Sequence, residues 1–174
     1  MRLYKIDNLN KYYTKYNKYK NFYPSDLQTI KKYSGNWKYI SIYPKLSESF
    51  IDRYKNKVDW EGISRYQKLS EEFIGKYKGR VDWFFISSRQ NLSEQFIEKY
   101  KDKVDWEWIS AMQSLSEPFI EKYKNEVNWN YISICQTLSE IFIEKYKDKV
   151  GWGLILKYQK HLSPEFVKKY KHLK

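Results

Sequence analysis

Few side chains in this 174-residue chain could carry out chemistry by themselves. It holds two histidines, His161 and His172, and a single cysteine, Cys135. A zinc site needs several soft or borderline ligands, and a nucleophile–base relay needs a histidine beside both a nucleophile and an acid, so neither is assembled from this inventory. Cys135 stands at a place taken elsewhere by Tyr43, Tyr66, Arg89, Met112 and Tyr158, which marks it as a packing variant rather than a nucleophile. No GxxxxGK[ST] or GxGxxG phosphate loop occurs. A glutamine recurs (Gln67, Gln90, Gln113, Gln136, Gln159) with no catalytic partner beside it, and its expected task is to bond an exposed carbonyl or amide between repeats. Glu98, Glu121 and Glu144 recur next to lysines and read as a solvated face. The expectation is a protein that is not an enzyme, with no cofactor and no metal.

What remains is recognition chemistry. Two residues after a recurring tryptophan the chain carries, in order, Tyr39, Gly62, Phe85, Trp108, Tyr131 and Leu154; three residues further it carries Ile42, Arg65, Ser88, Ala111, Ile134 and Lys157. Spacing of three puts both series on one face of a helix. Rings mixed with single cations have the composition of a protein-binding surface, so Tyr39, Phe85, Trp108, Tyr131, Leu154 and Arg65 are the candidate partner-binding residues. The other reading is that these rings fill gaps of differing size between repeats. A second candidate surface is N-terminal: Tyr12, Tyr16, Tyr19 and Tyr23 fall on one helical face, with Lys11, Lys15, Lys18 and Lys20 on others. Lysines on phosphates and tyrosines under bases would suit RNA or DNA; the alternative is a capping helix whose tyrosines cover the first repeat. A third series, Arg53/Lys57, Lys76/Arg80, Lys99/Lys103 and Lys145/Lys149, places cations at helix C-termini, where the dipole favours them; Lys122 is followed by Glu126 instead.

The elements that position these residues follow from repetition. The phrase that runs from Leu92 to Ser114 starts also at Leu46, Leu69, Leu115 and Leu138, always 23 residues apart, and at Leu162 one residue late because His161 is inserted. A fixed period of this size indicates a repeat array. Each copy holds two helix starts. Ser93 is an N-cap preceded by Leu92 and followed at N4 by Ile97; Asp105 is an N-cap preceded by Val104 and followed at N4 by Ile109. Pro118 and Pro164 fall in a first turn, where a missing N–H does no harm. Two helices of roughly eight to ten residues per copy are expected, marginal alone and held by stacking. Phe50, Ile51, Tyr54, Val58, Trp60, Ile63 and their equivalents form the expected core, and the serine after the isoleucine (Ser41, Ser64, Ser87, Ser110, Ser133) suggests a close crossing.

The phrase Leu-Ser-Glu-x-Phe-Ile-Glu-Lys-Tyr-Lys-Asp-Lys-Val-Asp-Trp resembles the short tandem helical repeats of uncharacterised proteins from large DNA viruses and phages, over Leu46 to about Tyr170. The resemblance implies an α-solenoid of viral or mobile-element origin, acting in the host cytoplasm. It brings no catalytic residue with it. It also makes an inhibitor of a host nucleoprotein or defence complex, comparable in role to an anti-CRISPR protein, the expected function.

Composition sets the remaining bounds. The net charge is +12, and most of it lies in the first 45 residues. Apolar runs are too short for a membrane span, the start is lysine-rich without the apolar region of a secretory signal, and one cysteine forms no internal disulfide. One all-α domain is expected: a basic N-terminal cap (1–22), a degenerate repeat (23–45), five full repeats (46–161) and a C-terminal cap (162–174). Pro44 should shorten the degenerate repeat's second helix, and Gly151-Trp152-Gly153 should weaken that of the fifth full repeat. The expected function is a non-enzymatic scaffold for a protein or nucleoprotein partner, with RNA or DNA binding as the alternative and no role in a membrane.

Overall fold

A computed structural model describes residues 26–173, whose helices are joined by short turns and links, with no strand among them. The N-terminal residues singled out above, Lys11, Lys15, Lys18, Lys20, Tyr12, Tyr16, Tyr19 and Tyr23, lie outside the described residues. Thirteen α-helices are described: α1 (Leu27–Lys32), α2 (Trp37–Ile42), α3 (Glu48–Arg53), α4 (Trp60–Tyr66), α5 (Glu71–Lys76), α6 (Trp83–Arg89), α7 (Glu94–Lys99), α8 (Trp106–Met112), α9 (Glu117–Lys122), α10 (Trp129–Cys135), α11 (Glu140–Lys145), α12 (Trp152–Tyr158) and α13 (Pro164–Tyr170). A 3-10 turn over Lys171–Leu173 follows. From α3 on, helices that begin at the Leu-Ser-Glu phrase alternate with helices that begin at the tryptophan. They are called first and second helices below. The chain divides into two compact units, Met1–Ile63 and Ser64–Lys174.

Both helix types start by the same device. Ser93 accepts from the Phe96 amide at 3.2 Å, and Asp105 accepts from the amides of Glu107 and Trp108 at 3.0 and 3.2 Å. The N4 residue is an isoleucine in each, and these isoleucines are fully buried: Ile40, Ile51 and Ile63 in the first unit, Ile74, Ile86, Ile97, Ile109, Ile120, Ile132, Ile143 and Ile155 in the second. Leu92 and Val104, one before each cap, are buried as well. The 23-residue period is thus two half-periods of 11 and 12 residues, each a cap plus one core isoleucine. Burying such a side chain fully contributes about 1.5–3 kcal/mol, which offsets the ordering of a very short helix.

The helices are six or seven residues long rather than eight to ten. The C-termini explain the difference. In the first helices a buried tyrosine takes the C-cap: the Tyr100 amide donates to the Phe96 carbonyl, and the Tyr100 carbonyl then accepts from Lys103 and Val104 to close a turn. In the second helices the chain leaves abruptly in extended conformation at the glutamine (Gln90, φ −98°, ψ 152°). The tryptophans, expected in the core, are half-buried. Trp83, Trp106, Trp129 and Trp152 each lay the ring on the next first helix, as Trp106 does on Phe119 and Tyr123 at 6.4 and 4.9 Å, while the indole N–H donates to a turn carbonyl, Lys101 O at 3.1 Å in the case of Trp106. That N–H needs a partner near the surface, so the ring is not fully enclosed.

Two expectations concern the length of second helices. α2, followed by Pro44, is one residue shorter than the other second helices. Gly151 provides no side-chain cap, yet α12 keeps seven residues. Its isoleucine amide still finds the Gly151 carbonyl at 2.9 Å, so the burial of Ile155 holds the helix without the cap. In the α1–α2 turn, Gly35 adopts φ 71° and its amide reaches Ile30 O at 2.9 Å, a left-handed closure that glycine accepts readily. Within Ser64–Lys174 each of α6, α8 and α10 packs against the next second helix, and the first helices bond to one another, giving two layers. The chain is all-α and forms an α-solenoid of 23-residue two-helix repeats.

Candidate recognition surface on the second helices

Most of the recurring polar residues are used inside the array. Each second-helix serine donates to the carbonyl four residues back and accepts the N-cap amide of the next second helix: Ser87 Oγ bonds Trp83 O at 2.7 Å and Asp105 N at 2.9 Å. Gln90, Gln113, Gln136 and Gln159 each reach back one repeat. Gln113 Nε2 donates to Ser87 O and Gln90 O at 3.0 and 2.8 Å, and its Oε1 accepts from Leu92 N at 2.9 Å. Ser87 and Gln90 lie at the end of α6, where helix carbonyls have no intrahelical partner, so the glutamine is a C-cap delivered from the neighbouring repeat. Glu71, Glu94, Glu117 and Glu140, at the starts of first helices, serve the next repeat too, as Glu94 accepts from Ser116 N at 2.6 Å.

The first-helix layer carries an ion-pair ladder rather than a merely solvated face. Glu98 pairs with Lys122, Glu121 with Lys145 at 2.5 Å, and Glu144 with Lys169 at 2.6 Å. The lysine hydrogen bond holds each of Glu98, Glu121 and Glu144 below the usual glutamate range, and the same bonds raise Lys122, Lys145 and Lys169. Burial, with Glu121 nearby, pushes the Tyr146 hydroxyl up. In the first unit Arg53 pairs with Asp26 at 2.6 Å. Arg53, Lys122 and Lys145 of the cation series are therefore engaged in ion pairs. Gly75 replaces the ladder carboxylate in α5, where an added Cβ would lie 2.9 Å from the Tyr100 hydroxyl.

The variable columns sit on the second helices, and their geometry answers the choice left by the sequence. Tyr39 is exposed, whereas Phe85, Trp108, Tyr131 and Leu154 are half-buried. Gly62 is buried, with space for a Cβ limited by Ile42 Cγ1 at 3.2 Å and Ser41 Cβ at 3.3 Å. The column two residues after the tryptophan faces the column five residues after the preceding tryptophan. Glycine meets Ile42, Phe85 lies under the Arg65 guanidinium at 5.1 Å, and Trp108 shares a hollow with Ser88. In the same register Tyr131 matches Ala111 and Leu154 matches Ile134. In Gly62–Ile42, Trp108–Ser88 and Tyr131–Ala111 a small residue stands opposite a larger one, so part of this variation is gap filling between helices.

More exposed apolar groups come from neighbouring positions. Tyr66 (50% exposed), Phe84 (46%), Met112 (55%) and Tyr158 (44%) project large apolar groups, with Arg89 and Cys135 also exposed. Cys135 is thus a surface residue and not a packing variant. Phe84 makes edge contacts with Phe85 and Trp108 at 5.2 and 5.6 Å, joining two repeats into one aromatic patch. Composition gave no sign of Phe84, since its counterparts Lys38, Glu61, Glu107, Asn130 and Gly153 share no character. The size match between columns 20 residues apart was the available signal that the half-buried rings are partly structural.

Among the described residues no helix is long and apolar enough to cross a membrane. Comparison with known proteins adds no relative: no family model, curated protein or solved structure matches the chain.

Proposed function

We propose that the chain is a non-enzymatic scaffold that binds a protein partner through the outer surface of its second helices, centred on α6 and α8. The observation that carries this reading is the difference between the two layers of Ser64–Lys174. The first-helix layer pairs charges between neighbouring repeats, in Glu98–Lys122, Glu121–Lys145 and Glu144–Lys169. The second-helix layer leaves Phe84 and Met112 about half exposed beside the edges of Phe85 and Trp108. Exposed aromatic and methionine side chains grouped over two repeats are the composition of an interface centre. The recurring serine, glutamine and glutamate are engaged in stacking, which leaves binding rather than catalysis as the use of this surface. The resemblance to viral repeats adds a partner class, a host nucleoprotein or defence complex in the cytoplasm. The alternative, RNA or DNA binding, rests on the excess of lysine in the first 45 residues.

The test compares capture of protein from nuclease-treated lysate of the source host by the wild-type chain and by a Phe84→Ser/Met112→Ser variant. Both sites are solvated, so the variant should keep its melting temperature within a few degrees. Loss of the captured band in the variant alone supports the proposal. An equal band in both overturns it, and a band that disappears with nuclease favours the nucleic-acid reading.

A further inference from the structure

Between α4, α6 and α8 lies an open hollow of about 370 Å³, walled by Arg65, Phe84, Phe85, Arg89, Trp108 and Met112. A second hollow of about 380 Å³ adjoins it, walled by polar groups that include Gln67, Lys68, Gln90 and Asn91, and Arg65 and Arg89 line this one also. The two arginines therefore stand on the divide between an apolar depression and a polar one. Neither hollow has a carboxylate in its wall. Arg65 is held with its guanidinium 5.1 Å from the Phe85 ring and 5.0 Å from the Tyr66 ring. Neither Arg65 nor Arg89 forms an ion pair among the described residues, in contrast to Arg53, Lys122, Lys145 and Lys169. Glu107, the nearest acid in sequence to Trp108, pairs with neither.

We infer that this divide is a docking site for an acidic segment of a partner protein, one that places a large apolar side chain between Phe84 and Trp108 and adjacent carboxylates on Arg65 and Arg89. The inference rests on the protein-binding reading above and names the partner's chemistry. A guanidinium lying on aromatic rings is already oriented, so it loses little freedom on pairing with a carboxylate, and its planar fork suits a bidentate contact. The ring edges and the Met112 side chain offer the apolar complement. Charge also eliminates nearer occupants. The N-terminal segment carries Arg2, Lys5, Lys11, Lys15, Lys18 and Lys20 against Asp7, and a second copy of this chain carries +12, so both are repelled by the arginine pair. A nucleic-acid strand would call for cations continuing along the row. The positions that follow Arg89 are instead Met112, Cys135 and Tyr158.

The test uses fluorescence anisotropy with short fluorescein-labelled peptides sharing a Leu-Trp centre, one flanked by glutamates and one by lysines, and a labelled oligothymidylate. The acidic peptide should bind the wild-type chain at least about tenfold more tightly than the lysine peptide, and more tightly than the oligothymidylate. Arg65→Glu/Arg89→Glu should abolish the preference, whereas Arg65→Lys/Arg89→Lys should retain part of it, because charge survives and the fork does not. Circular dichroism melts establish that each variant is folded. No binding of the acidic peptide, equal binding of the two peptides, or tighter binding of the oligothymidylate overturns the inference. Partner capture that depends on Phe84 and Met112 without any acidic preference overturns this inference and leaves the protein-binding proposal standing.

Discussion

At the scale of single residues, the stack depends on a buried amide as much as on its largest ring. Gln113 satisfies Ser87 O, Gln90 O and Leu92 N, and it is almost completely buried. Replacing it with alanine leaves three buried backbone groups without partners. At about 1–3 kcal/mol per unmet group, and with some rescue by water, Gln113→Ala should destabilise by roughly 3 kcal/mol. Trp106→Ala removes ring contacts with Phe119 and Tyr123 but from a half-buried site, so a similar loss, about 3 kcal/mol, is expected. Urea unfolding of the two variants checks this; a glutamine variant within a few tenths of a kcal/mol of wild type would show that the amide is replaceable. The need for glutamine could be seen in the sequence as a recurring letter, and so could the bonding of a carbonyl or amide between repeats. Its three partners could not, because they lie 21, 23 and 26 residues away and depend on how far one repeat advances on the next.

At the scale of helices, the caps were legible and the contacts between helices only partly so. Serine, aspartate or asparagine followed four residues on by isoleucine marks most helix starts, because capping and burial act within one turn. The C-termini were not legible: tyrosine turns and borrowed glutamine caps end the helices earlier than propensity suggests. The variable columns needed a geometric fact, that Phe85 falls opposite Arg65, before gap filling and display could be told apart. The first-helix ladder gives a prediction at this scale. Glu98, Glu121 and Glu144 titrate below the usual glutamate range, so their contribution is complete above that range and is lost as pH falls through the folded values. Lys122, Lys145 and Lys169 titrate above the usual lysine range, so their contribution is complete below it and is lost only in strong alkali. The triple variant Glu98→Gln/Glu121→Gln/Glu144→Gln should melt slightly below wild type at neutral pH and low salt. The gap should close in acid below the folded glutamate values and shrink in high salt, since the pairs are exposed. A gap independent of pH would mean that the side chains act by packing and not by charge.

At the scale of the whole molecule, each repeat in Ser64–Lys174 bonds its immediate neighbours, so stability should grow with the number of internal repeats. An in-frame duplication of Leu92–Ser114 brings its own Asp105 cap, Ser110 relay and Gln113 clamp, and each meets the partner type it meets in the native array. The enlarged chain should melt at a higher temperature, with a steeper urea dependence because more surface is exposed on unfolding. A duplication of Leu138–His161 differs in a way that the structure specifies. Leu156 stands where the relay serine would be, and among the described residues the 3-10 turn, not another second helix, packs on α12. Duplicated, Leu156 of the first copy would face the N-cap amide of the next second helix and offer it no acceptor. That cap is again glycine, the position at which Gly151 N now bonds Ser133 Oγ at 3.0 Å. One buried amide without a partner costs about 1–3 kcal/mol. The second duplication should therefore stabilise less than the first, or not at all, and Leu156→Ser in its first copy should recover most of the difference. Equal melting temperatures for the two duplications would mean that the serine relay is dispensable, and that isoleucine burial alone sets the coupling between repeats.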